Sequence, residues 1–354
     1  MSIYDEAADK AKKQLDEISP TMCYAKWSQV SMHLTNGKTH SCYHPPTHSI
    51  DVNELQTNPS ALHNTKEKKE QRALMLKGER PDGCSYCWNI EDTGARSDRV
   101  YRSGEYWAQN AREEIAEAGA DGNINPRYVE VNFNQACNFK CSYCSPHLST
   151  AWHEEIDEHG PYQIMDGEHN NTDSLNKGGL MPLRVAQKEN PYVTAFWKWW
   201  PELYKDLRVF RITGGEPSMT KNTFKVLDYV LENPNPNIKI NINSNLCVPD
   251  EILNKFIEKV KRIQGEELIQ QFQLYTSNEA HGKKAEYIRN GLDYNKWYDN
   301  CHRILKEIPR SKLTNMATYN ALSVSSFTEL MKDWLALRTE FMNGPDRRNP
   351  VSLD

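Results

Sequence analysis

The sequence predicts an α/β fold of strand–helix repeats on a parallel sheet, either open or closed into a barrel. Three observations carry this. Runs with strand character at 128–134, 207–213, 237–243, 270–276 and 314–319 alternate with helical patterns at 220–232, 249–263, 295–306 and 325–339, the order that builds parallel sheets. Each strand alternates apolar and polar residues: Val129, Val131 and Phe133 with Glu130, Asn132 and Asn134; Ile238, Ile240 and Ile242 with Lys239, Asn241 and Asn243; Phe272 and Leu274 with Gln271, Gln273 and Tyr275. Parallel strands covered by helices on both faces read as continuous apolar runs instead. One face here therefore meets helices and the other lines something polar, either a ligand-holding lumen or a solvated face. The lumen is the better reading, because Asn residues recur toward strand C-terminal ends, where α/β sites lie. Finally, 354 residues, 38% of them hydrophobic, suffice for one large or two ordinary domains.

The elements follow in chain order. Residues 1–18 read as a short amphipathic helix. Residues 27–43 read as a hairpin, with Val30, Met32 and Leu34 alternating and Asn36-Gly37 at the turn. Residues 61–77 are charged and helical up to Gly78. Pro81-Asp82-Gly83 turns the chain into Cys84-Ser85-Tyr86-Cys87, and a helix follows from about Ser97 to Ala118. The stretch 118–123 has the composition of a boundary, which divides the chain into 1–122 and 123–354. Residues 157–190 are polar and interrupted by Gly160-Pro161, Asn170-Asn171 and Gly178-Gly179, which suits a lid insertion. Phe196, Trp197, Trp199 and Trp200 read as core packing for the barrel.

Composition narrows the function. With 43 basic and 48 acidic residues the formal charge is −5, unlike a polybasic nucleic-acid binder. No apolar run reaches membrane-span length, so no membrane role is expected. The start, Met1-Ser2-Ile3-Tyr4-Asp5-Glu6, lacks a signal-peptide pattern, and a cytoplasmic, reducing location is the expectation. In that setting nine cysteines read as metal or cluster ligands rather than disulfides.

The strongest chemical pattern follows the first strand: Cys137-Asn138-Phe139-Lys140-Cys141-Ser142-Tyr143-Cys144. Three thiols in so short a loop can wrap one centre. A structural zinc or a closed iron–sulfur cubane wants four ligands, so three leave one iron open to a ligand. The spacing CxxxCxxC, with Tyr143 before its last cysteine, resembles the radical S-adenosylmethionine (SAM) superfamily. A second match, Gly214-Gly215-Glu216-Pro217, resembles that family's GGEP motif and begins 70 positions after Cys144, at the end of the next strand. Glycines allow close backbone approach, Glu216 can accept from the SAM ammonium, and Pro217 stiffens the turn. Weaker matches are Ser244 and Asn245 after the third strand, Ser277 in Ser277-Asn278-Glu279 after the fourth, and Arg289, which resembles an arginine that pairs with the SAM carboxylate.

The resemblance covers roughly residues 127–320. It implies a partial (β/α)6 TIM-like barrel, with Pro350-Val351-Ser352-Leu353 as the start of a sixth strand. It also implies a [4Fe–4S] cluster on Cys137, Cys141 and Cys144. SAM would be bound by Tyr143, Gly214, Gly215, Glu216, Pro217, Ser244, Asn245, Ser277 and Arg289. Cleavage of SAM would yield a 5′-deoxyadenosyl radical that abstracts hydrogen from substrate, the chemistry belonging to the cofactors.

Cys23, Gly37 and Cys42 stand thirteen and four residues apart, and Cys84 and Cys87 follow. This resembles the SPASM/twitch pattern of auxiliary-cluster modules, here as a small cysteine-rich hairpin-plus-helices unit ahead of the barrel, whereas the family usually places it after. The resemblance implies a second, auxiliary [4Fe–4S] cluster on Cys23, Cys42, Cys84 and Cys87, acting as an electron relay. A four-cysteine zinc site, with His40, His44 or His48 as substitutes, is the alternative. Family members with such modules often modify peptides, so the expected partners are a peptide or a small-molecule substrate and a flavodoxin- or ferredoxin-like reductant. Two rival functions stand beside this one: the same chemistry on a nucleoside, sugar or cofactor precursor, and a non-enzymatic iron–sulfur or zinc binding module. Cys247, beside Asn245, reads as a thiol facing the site or a small buried hydrophobe, and Cys301 as core.

Overall fold

The structure, a computed structural model, describes residues 3–161, 171–183, 189–342 and 349–354. Its described strands are β1 (Gln29–His33), β2 (Lys38–His40), β3 (His48–Ser49), β4 (Tyr128–Asn132), β5 (Lys140–Cys141), β6 (Val209–Thr213), β7 (Asn235–Asn243), β8 (Ile269–Ser277), β9 (Arg289–Asn290), β10 (Lys312–Met316) and β11 (Val351–Leu353). The chain forms two compact units, Met1–Val131 with Arg184–Phe210 and Asn132–Leu183 with Arg211–Asp354. The stretch 118–123, read as a boundary, lies inside the first unit. β4 and β6 each run across the division, so the loops that follow them both belong to the second unit.

In the first unit β1, β2 and β3 pair antiparallel, with Met32 opposite Thr39. Gly37 makes the turn with φ of +71°, a conformation side chains disfavour. The helix Lys66–Leu76 starts where Thr65 Oγ1 accepts from the Lys68 amide at 3.2 Å, a stabilising N-cap. The single helix expected over 97–118 is instead three, Asp98–Gly104, Tyr106–Asn110 and Arg112–Ala118. Glu105 breaks it with extended backbone, φ −64° and ψ 144°. Gly104, just before it, lets the chain approach the first helix so closely that a Cβ would lie 3.1 Å from the Ala7 carbonyl. The aromatic group on Pro191–Asp206 is core of this unit rather than of the barrel: Phe196 and Trp200 pack on Phe210, with ring centroids 6.2 and 4.8 Å away.

The second unit is α/β, with parallel pairing at β7–β8, β8–β10 and β10–β11. Register follows the alternation. Ile242, Leu274, Leu313 and Val351 form one buried row across four strands, each at most 1% exposed. Helices cover this face. Asp250–Gly265 buries Leu253, Phe256, Ile257, Val260 and Ile263, a helical stripe in which each such side chain contributes about 1.5–3 kcal/mol. β11 adds a strand beside β10 at the position expected for a sixth. The opposite face carries the polar row. Arg211 Nε donates to Asn243 Oδ1 at 3.1 Å, and its guanidinium lies 4.3 Å from the Tyr275 ring centroid. Gln273 Nε2 donates to Thr314 Oγ1 at 2.8 Å. Of the lid expected over 157–190, residues 162–170 and 184–188 lie outside the described residues, and the described part includes a short helix at Thr172–Lys177. Among the described residues no helix is long and apolar enough to cross a membrane.

Candidate functional site

The loop 133–144 takes its shape from partners far along the chain. The Cys137 amide donates to Thr150 Oγ1 at 3.2 Å, and that hydroxyl donates back to the Cys137 carbonyl at 3.1 Å. Ser149 Oγ donates to the Phe139 carbonyl and Trp152 Nε1 to the Cys141 carbonyl. β5 pairs antiparallel with β9, Cys141 opposite Arg289, and the Ser142 amide donates to the Ile288 carbonyl at 2.8 Å. At Gly291, with φ of +107°, a Cβ would lie 2.9 Å from the Asn138 carbonyl. Only glycine admits this approach.

Cys137, Cys141 and Cys144 line one cleft of about 290 Å³, at the lower end of the size range of small-ligand sites. Tyr143, Gly214, Gly215, Ser244, Asn245, Ser277 and Arg289 line the same cleft. Glu216 and Pro217 do not. Both are buried, Glu216 wholly so. Glu216 Oε1 accepts from the Ser218 amide at 3.0 Å and its hydroxyl at 2.6 Å, and Oε2 accepts from the Asn245 amide at 2.6 Å. The carboxylate thus ties two strand-end loops together, where a direct bond to a ligand ammonium was expected. Burial raises its pKa, and the hydrogen bonds from Ser218 and Asn245 oppose that.

The two glycines line the cleft and also pack closely on the protein itself. A Cβ on Gly214, φ +121°, would lie 2.5 Å from Asn132 Oδ1, and one on Gly215 would lie 2.4 Å from the Ala136 carbonyl. They bring the loop onto the cysteine-bearing strand end, where the Glu216 amide donates to the Ala136 carbonyl at 2.6 Å. Asn245 is likewise engaged within the protein, donating to Asn138 Oδ1 at 2.8 Å and accepting from the Cys247 amide at 2.9 Å.

Glu279, the last residue of the Ser277-Asn278-Glu279 match, has contacts that the sequence did not show. It is wholly buried, and its Oε2 accepts from Arg289 Nε at 3.0 Å and Nη2 at 2.7 Å. The Tyr143 hydroxyl donates to the same carboxylate at 3.1 Å, and the Arg289 guanidinium lies 5.3 Å from the Tyr143 ring. Arg289 Nη1 stands 3.9 Å from Cys141 Sγ. Asn243, which precedes Ser244 and Asn245, also lines the cleft, and Arg211, which bonds to it, was not singled out. The one available sign was a lone arginine within an otherwise uncharged strand, Val209–Thr213.

Cys23, Cys42, Cys84 and Cys87 line a second, much smaller cavity of about 20 Å³ within the first unit. Burial pushes the Cys23 thiol up, that of Cys42 to about 11 and that of Cys87 to about 12. Backbone hydrogen bonds from Lys26, His44 and Arg99 act against this and favour the thiolates of Cys23, Cys42 and Cys87 respectively. The neighbouring histidines have partners of their own. His44 Nε2 meets Asp98 at 2.7 Å and stacks on Tyr86, His48 meets Thr65, and His40 pairs with His33. Among the described residues no group of three His, Cys, Asp or Glu converges closely enough to hold a single metal ion. Cys247 is half-buried, its Sγ 3.5 Å from the Asp293 carbonyl, and Cys301 is core.

No protein-family model matches the chain, and no curated protein does. Among solved structures it aligns with Streptococcus suis SuiB at 15% identity and a TM-score of 0.39, over 77% of this chain and 53% of that one. SuiB bound to S-adenosylmethionine gives 14% and 0.39 over 87% and 59%. SuiB bound to precursor peptide SuiA gives 10% and 0.37 over 93% and 72%. In the first two alignments the chain thus spans little more than half of the SuiB chain.

Proposed function

We propose that the chain is a radical SAM enzyme. Its second unit would be a partial (β/α)6 TIM-like barrel, and its N-terminal cysteines a twitch-like module with an auxiliary [4Fe–4S] cluster. One observation carries the reading: three cysteines in CxxxCxxC spacing, the Gly214-Gly215 loop and the Ser244-Asn245 loop face one cleft. The donor set fits a cubane with one open iron, since three thiols supply three of its four ligands. The cleft beside them carries the polar and backbone groups a zwitterionic ligand needs.

When bound, the cluster and SAM would supply one-electron reduction and hydrogen abstraction from a substrate. The protein's own residues hold and orient. Arg289, fixed by Glu279, presents a permanent cation at Cys141 Sγ and at the cleft wall, where it can meet a thiolate or a carboxylate. Tyr143 closes the same wall through its bond to Glu279. Glu216 holds the two loops that frame the cleft.

Four thiols on one enclosed cavity support the auxiliary site. Four cysteines supply the complete ligand set of a closed cubane. The cluster would act as an electron relay, a flavodoxin- or ferredoxin-like protein as reductant, and a peptide as substrate. The peptide follows from the resemblance of the cysteine pattern to modules that accompany peptide modification.

Anaerobically reconstituted protein given SAM and dithionite should form 5′-deoxyadenosine and methionine, and the Cys141→Ala variant should not. A candidate peptide should lose mass as hydrogen or become crosslinked only in the complete mixture. Absence of SAM cleavage by iron-loaded parent protein would refute the proposal.

A further inference from the structure

Three cations are buried in the first unit. Lys26 is 2% exposed, Lys68 1% and Arg72 0%. Lys26 Nζ donates to Gln71 Oε1 at 2.6 Å. Lys68 Nζ donates to the Gln29 carbonyl at 3.1 Å and meets His63 Nδ1 at 2.7 Å. Arg72 donates to the carbonyls of Lys26 and Gly122 and to Asn64 Oδ1, and its guanidinium lies 5.4 Å from the Trp27 ring centroid. All of these partners are uncharged. His63 is itself held neutral, its pKa well below the ordinary value through burial and the nearby Lys68 and Arg72. Among the described residues no carboxylate forms an ion pair with any of the three cations. Glu67 reaches Lys26 only through Gln71, whose Nε2 donates to it at 3.2 Å, and Glu67 is half exposed.

An ion without a counter-ion costs several kcal/mol to bury, and burial pushes the Lys68 pKa well below its ordinary value and that of Arg72 down to about 9, so holding Lys68 as a cation asks for a compensating charge. The cavity beside them can provide it. Lys26 lines the same cavity as the four cysteines, and Cys23 and Cys42 are near enough to Lys68 to act on its charge. Other charged groups at the cavity have partners of their own, though among the described residues Arg102 has only an aromatic face. Arg99 pairs with Glu91 through two bonds of 2.8 Å, and Asp98 with His44 at 2.7 Å. Arg102 stands over the Tyr43 ring at 4.8 Å. Four thiols carry no charge. Four thiolates around a doubly positive centre carry a net of about two negative charges, because ligation strips the protons.

We propose that Lys26 and Lys68, backed by Arg72, are the counter-charge of an anionic iron–sulfur centre on Cys23, Cys42, Cys84 and Cys87, and that they raise its reduction potential. The proposal rests on the reading that these cysteines hold a cluster. Its direction follows from charge alone: one-electron reduction makes the centre more negative, and fixed cations nearby favour the more negative state. Desolvation strengthens this, since buried charges are screened little. The centre is thereby made an electron acceptor rather than a strong reductant. Lys26 and Lys68 act through the cysteines and are positioning residues.

The test uses the full chain with Cys137, Cys141 and Cys144 all changed to Ala, so that iron and sulfide can assemble only on the four remaining ligands. Its potential is read by dithionite titration followed by electron paramagnetic resonance. Lys26→Met and Lys68→Met should each shift the one-electron equilibrium at least tenfold toward the oxidised form, about 59 mV lower. Lys26→Arg and Lys68→Arg, which keep the charge, should hold the parent potential. Met variants with about four irons and the parent potential would overturn the counter-charge role and leave the cluster standing. Arg variants that shift as far as the Met variants would overturn it as well, pointing to packing instead. If one Met variant fails to fold, the other decides by the same criterion. If the triple variant assembles no iron–sulfur centre, the cluster reading fails and the proposal fails with it.

Discussion

Replacing Glu279 by alanine tests how the cysteine loop is held. Glu279 is wholly buried and accepts two bonds from Arg289, whose side chain is 7% exposed. The substitution leaves the guanidinium with only the sulfur of Cys141, at 3.9 Å, on that side. Breaking a buried pair by removing one partner costs about 3–5 kcal/mol, because the surviving charge stays buried without its counter-ion. Loss of the Tyr143 bond adds little, since that residue is 41% exposed and its hydroxyl can turn to water. The expected result is a fall in the urea midpoint equivalent to about 3–5 kcal/mol at constant m, read by tryptophan fluorescence. The double variant Glu279→Ala/Arg289→Met removes the stranded charge and should recover much of that loss, so the two changes should couple strongly. The Ser142 amide, bonded to the Ile288 carbonyl, should exchange faster in the single variant than in the double. A Glu279→Ala protein within about 1 kcal/mol of the parent, or a double variant weaker than it, would refute the reasoning that the pair is a buried clamp.

Further outcomes follow from other sites. Gly214→Ala should weaken SAM binding and lower stability, since its Cβ meets Asn132 Oδ1 at 2.5 Å in a backbone with φ of +121°; calorimetric binding unchanged from the parent would contradict this. Glu216→Gln should destabilise by about 1–3 kcal/mol, because its amide turns a donor toward the Asn245 or Ser218 amide, leaving a buried N–H unpaired; an unchanged urea midpoint would argue against it. His33 and His48 have pKa values lowered to about 4, chiefly by burial. Their stabilisation is complete above the unfolded value of about 6.5 and is lost as pH falls toward about 4, because the unfolded chain takes the proton first. Urea midpoints should therefore fall between pH 6.5 and 4, by about 1.4 kcal/mol per pH unit for each histidine where it is fully buried. His48→Gln, whose parent side chain is 10% exposed, should reduce the slope, and an unaltered slope would count against the assignment.

Much of this was legible in the sequence because it depends on short-range spacing. A period of two marks β7 and β8, and their polar row in fact carries Asn243, Tyr275 and Gln273 on the face opposite Ile242 and Leu274. The cysteine loop and the Gly-Gly-Glu-Pro loop were legible for the same reason, as compact strings after strands. What was not legible depends on contacts distant in sequence. The pairing of Lys140–Cys141 with Arg289–Asn290 joins residues far apart in dipeptides too short to show any period. Glu279 reads as a loop acid until Arg289 and Tyr143 are seen around it. Gly214 and Gly215 look like room for a ligand, yet the atoms that exclude a Cβ are those of Asn132 and Ala136. Lys68 and Arg72 belong to a run that reads as charged and helical, and only the packed unit shows them and Lys26 buried near Trp27 and His63.

The central claim is that seven cysteines form two separate iron–sulfur sites, one with three ligands and one with four. Iron, sulfide and zinc content, measured on anaerobically reconstituted full-length protein beside the Cys137, Cys141 and Cys144 to Ala variant, tests it most directly. About eight irons are expected in the parent and about four in the variant, with matching sulfide and no zinc. About four irons with one zinc in the parent, falling to zinc alone in the variant, would contradict the auxiliary cluster. No loss of iron in the variant would contradict the catalytic one.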